Sequence, residues 1–276
     1  MGTYNKRDQI IKTSLLILVG LVFFSYTFPF YMISILAFGA NAFANPPEFF
    51  PREIRVSGFL KIISHPDFLR WVGNSFLYAT LITVGAIILS SLFAYAITRY
   101  NFPGKEMIFW LVLLGMMVPG VVIYVPIYYQ LSRLGLINTY IGIIVPPMSS
   151  AYSAFLLKQA FESVPRDYDE AASIDGAGTL TTLFRIILPI AKPALITTAL
   201  FNWVINWNNF AWPLLVLTTS DKYPLVLGIL YMGLSYTIDY EMIASGVLVC
   251  MLPCVIIYLI GIDYFMRGVV VGGLKK

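Results

Sequence analysis

Few residues in this chain are equipped for covalent chemistry. The one histidine, His65, stands beside Pro66, and the two cysteines, Cys250 and Cys254, flank Pro253 in an apolar run. Thiols in such a setting pack like small aliphatic groups, so neither a metal cluster nor histidine-dependent catalysis can be assembled. The single Gly-Lys pair, Gly104-Lys105, is followed by Glu106 and has Arg99 five residues before Gly104, which excludes a phosphate loop. Chemistry of binding is better supplied. Asn202, Asn206, Asn208 and Asn209 form the only dense cluster of amides inside an apolar stretch. At about 100° per residue, Asn202, Asn206 and Asn209 share one narrow helical stripe. Trp203, Trp207 and Phe210 make the stripe beside it. Amides turned to lipid would leave donors and acceptors unpaired, so this face must look into protein. An amide stripe next to an indole stripe suits a sugar, which offers hydroxyls at its edge and C–H faces to a ring. Helix–helix packing is the competing use: Asn bonding across helices while Trp fills space. Tyr124, Tyr128 and Tyr129 are further candidates for the same wall.

The elements that hold these residues are membrane spans. The chain has 276 residues, 59% hydrophobic and only 12% charged, against about 25% charged in a soluble domain. So little charge cannot cover a globule of this size with water-compatible surface, and disorder, coiled coil, collagen and disulfide scaffolds are excluded as well. Six intervals without Asp, Glu, Lys or Arg, 13–47, 71–98, 107–132, 134–157, 193–220 and 242–262, are each long enough to hold a span. Their spans are predicted at about 13–35, 72–97, 107–129, 137–157, 193–217 and 242–262, in one transmembrane domain over 1–276, with a first external loop at about 36–70. A seventh interval, 223–238, opens with Pro224 and reads as an external loop carrying a short helix. Pro119 and Pro126 are expected to interrupt the third span.

Orientation follows the basic residues. With the N-terminus inside, Lys6, Arg7, Lys12, Arg99, Lys105, Lys158, Arg166, Arg185, Lys192, Arg267, Lys275 and Lys276 fall inside, against Arg52, Arg55, Lys61, Arg70, Arg133 and Lys222 outside. Both termini are therefore predicted in the cytoplasm. The +4 net charge is a topology signal and not a nucleic-acid footprint. Lys6-Arg7 ahead of an apolar run, with Ala42-Phe43-Ala44 downstream, superficially resembles a cleaved signal peptide. The run from Thr13 past Leu36 outlasts a signal h-region of about 7–15 residues, so an uncleaved first helix is expected.

The longest inside segment, about 158–192, is more than a connector. Pro165 suits a first helical turn. Arg166 to Ile174 reads as a short helix with its acids in the first half, where the helix dipole favours them. Asp175-Gly176-Ala177-Gly178 is a turn signal. Thr179 is expected to cap a second helix, its Leu180, Leu183, Phe184 and Ile187 spaced i, i+3, i+4, i+7, ending at Leu188-Pro189. The two helices would make a foot below the membrane with small residues at its tip. It would serve as a docking element or simply as an interfacial connector.

Glu170-Ala171-Ala172, Gly176 after three intervening residues, Ile186 after nine more and Leu188-Pro189 together resemble the EAA motif of ABC importer permeases, without gap or substitution. Met117-Val118-Pro119, Pro126-Ile127-Tyr128, the run Leu134 to Tyr140, Trp207-Asn208, Phe210, Trp212 and the C-terminal Tyr264 to Gly268 and Gly272 to Lys275 are similar to the carbohydrate-uptake branch, most nearly to the second permease of maltose-type importers. The resemblance runs from about residue 72 to the end. It implies an all-α, six-span fold with a cytoplasmic coupling-helix loop between spans four and five. It implies ATPase coupling through Glu170, Ala171, Ala172, Asp175, Gly176, Gly178, Leu188 and Pro189, with Glu170 as the anchoring contact and Gly176 permitting the turn. It also implies the partners: a second permease, two ATP-binding cassette subunits carrying ATP and Mg, and an extracytoplasmic sugar-binding protein. The setting would be a bacterial or archaeal inner membrane, with no cofactor and no catalysis in this chain. Asn209 stands where the branch commonly has Asp or Glu, so no acidic role transfers there.

Two other readings stay open from residues alone. An ion-coupled carrier would work without an ATPase, although no interval holds the Asp, Glu or His that proton coupling uses. A membrane-embedded enzyme would need paired carboxylates that the spans lack.

Overall fold

The computed structural model describes residues 6–39, 48–234 and 238–273, with side chains from Gln9 to Ile262 within those ranges. Ala42, Phe43, Ala44, Lys275 and Lys276 lie outside the described residues, as do the side chains of Lys6, Arg7, Tyr264, Arg267 and the rest of the C-terminal pattern. Among the described residues all regular structure is helical: α1 Lys6–Ala37, α2 Ser57–Ile63, α3 Phe68–Arg99, α4 Lys105–Met117, α5 Gly120–Arg133, α6 Tyr140–Ile144 and α7 Ala151–Glu162. Then come α8 Asp167–Ile174, α9 Thr179–Thr182, a π turn Leu183–Ile187, α10 Leu188–Ile190, α11 Lys192–Trp207, α12 Ala211–Val216, α13 Leu225–Gly233 and α14 Tyr240–Gly273.

Three stretches, Gln9–Ala37, Phe68–Arg99 and Tyr240–Ile262, are long and apolar enough to cross a membrane, and three bent pairs raise the number to as many as six. The pairs are α4 with α5, bent by 103°, Tyr140–Met148 with α7, bent by 41°, and Thr179–Ile190 with α11, bent by 84°. The first two bends have a local cause. Pro119 crowds Val118 out of the helical region (ψ 122°), which ends α4; Pro126 sits inside α5 without ending it. Pro146 and Pro147 force a single 3-10 turn, and Ser150 restarts α7 by accepting the Ser153 N–H at 3.2 Å. The predicted span 193–217 divides after Trp207, where Asn208 closes α11, and resumes as α12.

Residues 66–228 and 250–276 form the larger of two compact units. Its frame is α3, an unbroken 32-residue helix packed along α7 and α11. One core gathers Tyr78, Ile82, Leu131, Ile143, Trp212 and Val216; another gathers Tyr95, Leu157, Phe161, Leu183 and Ile187. The segment Leu134 to Tyr140 is capping chemistry in sequence form. Gly135 (φ 68°) takes the left-handed position after α5, with Leu136 N–H returning to Leu131 O at 2.9 Å. Asn138 is also left-handed (φ 57°), and the Thr139 hydroxyl caps α6 by accepting Gly142 N–H at 3.0 Å. The loop before α13 is tied to α3: Trp71 donates to Ser220 O (2.8 Å), Asn74 to Asp221 O and Tyr223 O (both 3.0 Å), and Tyr78 to Lys222 O (2.8 Å). The short helix expected in 223–238 is α13.

Residues 1–65 and 229–249 form the smaller unit. Most of α1 is exposed and apolar, as a lipid-facing helix must be, and its buried side chains are confined to the end, at Ile35 and Ala37. Glu241 of α14 caps α2 from a distance, its carboxylate accepting the Ser57 hydroxyl and Gly58 N–H (3.1 Å). Lys61 pairs with Asp239 at 2.6 Å.

Candidate functional site: a polar cavity and a helical foot

A cavity of about 500 Å³ opens where α5, the 3-10 turn, the start of α7 and α11 meet. Asn202, Asn206 and Asn209 all line it, as their common stripe requires, together with Tyr124, Tyr152, Ser149, Ser150 and Trp212. None of its lining residues carries a formal charge. Asn202 is buried and donates to the Ser153 hydroxyl, with Ser150 Oγ at 3.4 Å, which fastens α11 to α7. Asn206 Nδ2 donates to Asn202 O at 2.8 Å and to Asn202 Oδ1 at 3.2 Å. Asn209 Oδ1 accepts the Trp212 N–H at 3.3 Å and so starts α12. One end of each of the last two amides is thereby engaged: the Asn206 nitrogen and the Asn209 oxygen. Trp212 packs 5.2 Å from Tyr124, and its indole N–H reaches Ile143 O at 3.2 Å. A second cavity of about 440 Å³ shares Ile123, Ile127, Pro146, Ser149, Ser150 and Ala151 with the first and extends to Ser90, Phe93 and Val112.

The indole stripe goes elsewhere. Trp203 and Trp207 stack at 4.9 Å with planes 14° apart, and Phe76 of α3 meets Trp207 at 4.9 Å. Trp207 donates to Cys250 O (3.0 Å) and Trp203 to Thr80 Oγ1 (3.2 Å). Both indoles therefore sit on the packing side of α11 and neither lines the cavity. Asn208 is exposed and bonds back to Val204 O at 2.9 Å. Tyr128 and Tyr129 also lie outside the cavity lining. Sequence reasoning passed over Ser149, Ser150 and Trp212 as wall residues; paired hydroxyls straight after Pro146-Pro147 in a charge-free run were the available signal.

At the foot, α8 carries Asp167, Asp169 and Glu170 in its first turn, where the dipole favours acids. It closes in a Schellman motif: Ala177 N–H bonds Ala172 O (2.9 Å), Gly176 N–H bonds Ser173 O (3.1 Å), and Gly176 is left-handed at φ 78°. Asp175 is the C-cap of that turn. Ala172 is the buried member of the motif, whereas Glu170, Ala171, Gly176 and Gly178 are exposed. Ile174 and Leu180, on either side of the turn that carries these small residues, stand 87% and 60% exposed, so the tip presents apolar surface. Thr179 does not cap the second helix by its side chain; its hydroxyl pairs with Tyr100 OH at 2.8 Å, and Gly178 occupies the N-cap. The π turn shifts the apolar stripe, so Leu183 and Ile187 are buried but Leu180 and Phe184 are not. The helix also runs past Leu188-Pro189 to Ile190, because Pro189 falls in the first turn after the π segment.

The foot is fixed to α3 by groups that sequence reasoning left unassigned. Arg99 Nε stands 3.0 Å from Asp169 Oδ2 as an ion contact off the line of a hydrogen bond. Tyr95 OH donates to Asp169 Oδ1 (3.0 Å), Arg99 Nη2 to Val164 O (3.0 Å) and Arg166 Nη2 to Thr98 O (3.1 Å).

The chain is similar to proteins of known role. The arabinooligosaccharides transport system permease protein AraQ of Halalkalibacterium halodurans is 31% identical over 228 residues, 82% of each chain. The sn-glycerol-3-phosphate transport system permease protein UgpE of Pectobacterium atrosepticum is 35% identical over 199 residues, 71% of each chain. In fold, the chain matches a bacterial ABC transporter involved in import of the acidic polysaccharide alginate, with a TM-score of 0.83 and 22% identity over 96% of this chain and 100% of that one. Residues 86–271 match the family described as binding-protein-dependent transport system inner membrane component. With apolar helices of spanning length, an uncharged cavity edged by amides and hydroxyls, and an ungapped EAA foot, the chain belongs to that family of membrane transport components.

Proposed function

We propose that this chain is one of two permeases in an ATP-driven importer of neutral oligosaccharides, working with an extracytoplasmic binding protein. Its six spans, both termini cytoplasmic, line one half of the pathway in a bacterial or archaeal inner membrane. Two cassette subunits carry ATP and Mg, and the foot at 165–188 docks on one of them through Glu170, Ile174 and Leu180. The single observation that carries the substrate class is the cavity wall. Three amides, the Ser149 and Ser150 hydroxyls and the Tyr124–Trp212 pair are set in an otherwise apolar wall around about 500 Å³, without one charged side chain. An anion there would lose its hydration shell and find no cation in exchange, whereas sugar hydroxyls meet amides and C–H faces meet rings. The relatives' names span arabinooligosaccharides and a phosphorylated glycerol; the wall favours the uncharged class.

The test is a mild-detergent pull-down of the tagged chain from its native cells, with mass-spectrometric identification of partners and of the binding protein's ligand. A second permease, a cassette ATPase and a binding protein loaded with a neutral sugar are expected. A phosphorylated or uronic ligand would overturn the substrate class. Recovery of the chain alone, under conditions that hold a known importer together, would overturn the assembly in favour of an ion-coupled carrier.

A further inference from the structure

Apolar packing does not hold α8 in place, since Ala172 is its one buried side chain. What holds it is the end of α3. Asp169 faces inward and is gripped twice, by Arg99 at 3.0 Å and by Tyr95 OH at 3.0 Å, and the Arg99 side chain is only 7% exposed. Glu170, next along the helix and rotated by about 100°, is exposed. The short helix therefore has two acidic edges with different surroundings, one sealed against α3 and one open.

Two routes lead from α8 to the cavity. The covalent one passes the left-handed Gly176, the Gly178 N-cap, the π turn and an 84° bend before reaching α11. It has four places to flex. The other passes through Asp169 and Arg99 into α3, which is unbroken for 32 residues and contains no proline. Further along, α3 touches two of the elements that wall the cavity: Ser90 Oγ lies 3.5 Å from O of Ser150, the N-cap of α7, and Thr80 accepts from Trp203 of α11 at 3.2 Å.

We propose that Arg99, Asp169 and Tyr95 form a strut that passes movement of α8 to α3 and so to the cavity wall, with Asp169 as a positioning residue. The proposal rests on the reading that α8 docks on an ATPase subunit. Glu170 makes the contact with the partner; Asp169 converts that contact into displacement of a span. A helix merely resting on the bundle would slip past α3 when pushed, whereas one held by a sealed ion contact and a hydrogen bond moves with it.

The experiment uses the whole importer in proteoliposomes, with three readouts: ATPase subunits copurified, ATP hydrolysis stimulated by loaded binding protein, and sugar imported per ATP. Asp169→Asn keeps the shape and a Tyr95 contact but removes the charge. It should leave copurification and hydrolysis near wild type while import per ATP falls about tenfold, within the range usual for coupling between sites. Tyr95→Phe, which removes one hydroxyl and leaves the ion contact, should lower import per ATP to a lesser degree. Unchanged import per ATP in both variants overturns the strut. Loss of the ATPase from Asp169→Asn, with unimpaired import per ATP in Tyr95→Phe, overturns it too, because Asp169 would then be part of the docking platform. Failure of the docking reading looks different: the wild-type chain holds no ATPase, or Glu170→Lys holds it as well as wild type.

Discussion

Trp207 decides between the two uses of the aromatic stripe on α11. It is 1% exposed, stacks on Trp203, meets Phe76 edge-on and gives its indole N–H to Cys250 O at 3.0 Å. Truncation to Ala removes the whole ring from a filled site, and such changes cost about 3–5 kcal/mol in well-packed interiors. The lost dispersion contacts apply in a membrane protein as they do in a soluble one. Trp207→Phe keeps most of the ring and loses one hydrogen bond, a cost of about 0.5–1.5 kcal/mol. The assay pairs thermal unfolding in detergent, followed by size-exclusion recovery, with initial uptake rates across sugar concentration. Trp207→Ala should unfold at markedly lower temperature and Trp207→Phe slightly lower. The protein that remains folded should keep its KM for sugar within about twofold, under 0.5 kcal/mol. Asn206→Leu is the converse control: it lines the cavity, so its KM or uptake rate should change while its unfolding temperature moves less. A tenfold KM change in Trp207→Phe at unaltered stability would refute the reasoning, since the indole would then have to meet the sugar.

Two further outcomes are expected. Gly176 is left-handed, and a Cβ there would meet nothing, so substitution costs torsional energy alone. Gly176→Asn should keep ATPase copurification and uptake, while Gly176→Val, penalised by about 1–2 kcal/mol or more, should lose both; equal behaviour of the two would remove the Schellman argument. At the Lys61–Asp239 pair, the Asp239 hydrogen bond and charge raise the Lys61 pKa. Burial pushes the Asp239 pKa up, but the Lys61 hydrogen bond and charge and the Met242 N–H outweigh it and hold it below the usual carboxylate range. The lysine contribution is complete below its ordinary pKa near 10.4 and is lost as pH rises through the raised value. The aspartate contribution is complete above about 3.9 and is lost as pH falls through the lowered value. Unfolding temperature should therefore gain no slope from this pair between pH 5 and 9, and Lys61→Met should cost at most about 1 kcal/mol, because the lysine is mostly exposed. A pH slope in that window that Lys61→Met abolishes would contradict the assignment.

What was legible in the sequence follows the range of the interactions. Charge-free intervals locate helices because the cost of burying a charge in lipid acts on each residue separately. The Asn202, Asn206, Asn209 stripe is readable because three positions on one helix share a face whatever surrounds them. Gly176 is readable because its partners, Ala172 and Ser173, lie within five residues. The fate of Trp207 was not, because Phe76 and Cys250 come from distant parts of the chain. Asp169 and Glu170 are indistinguishable in composition and adjacent in sequence, and only Arg99 and Tyr95, some seventy residues upstream, separate an inward acid from an outward one. The Leu180–Phe184 stripe failed for a different reason: a π turn changes the angular step on which the periodicity argument depends.

The same physics bears on the three amides of the α11 stripe. A membrane interior offers no water to rescue an unpaired amide, so each must find protein or line a space that water or ligand can enter. Asn202 bonds Ser153 and Ser150, holding α11 against α7, and its edge also reaches the cavity. Asn206 and Asn209 spend one end of the amide on neighbours, Asn202 and Trp212, and line the cavity as well. Under the proposed function, a sugar hydroxyl would meet groups already held in position by their other bonds, which would lower the ordering cost of binding. Although all three occupy one stripe, Asn202 is buried and fastened to α7 whereas Asn206 and Asn209 are half-buried, so under the proposed function Asn202 would serve stability and the other two recognition.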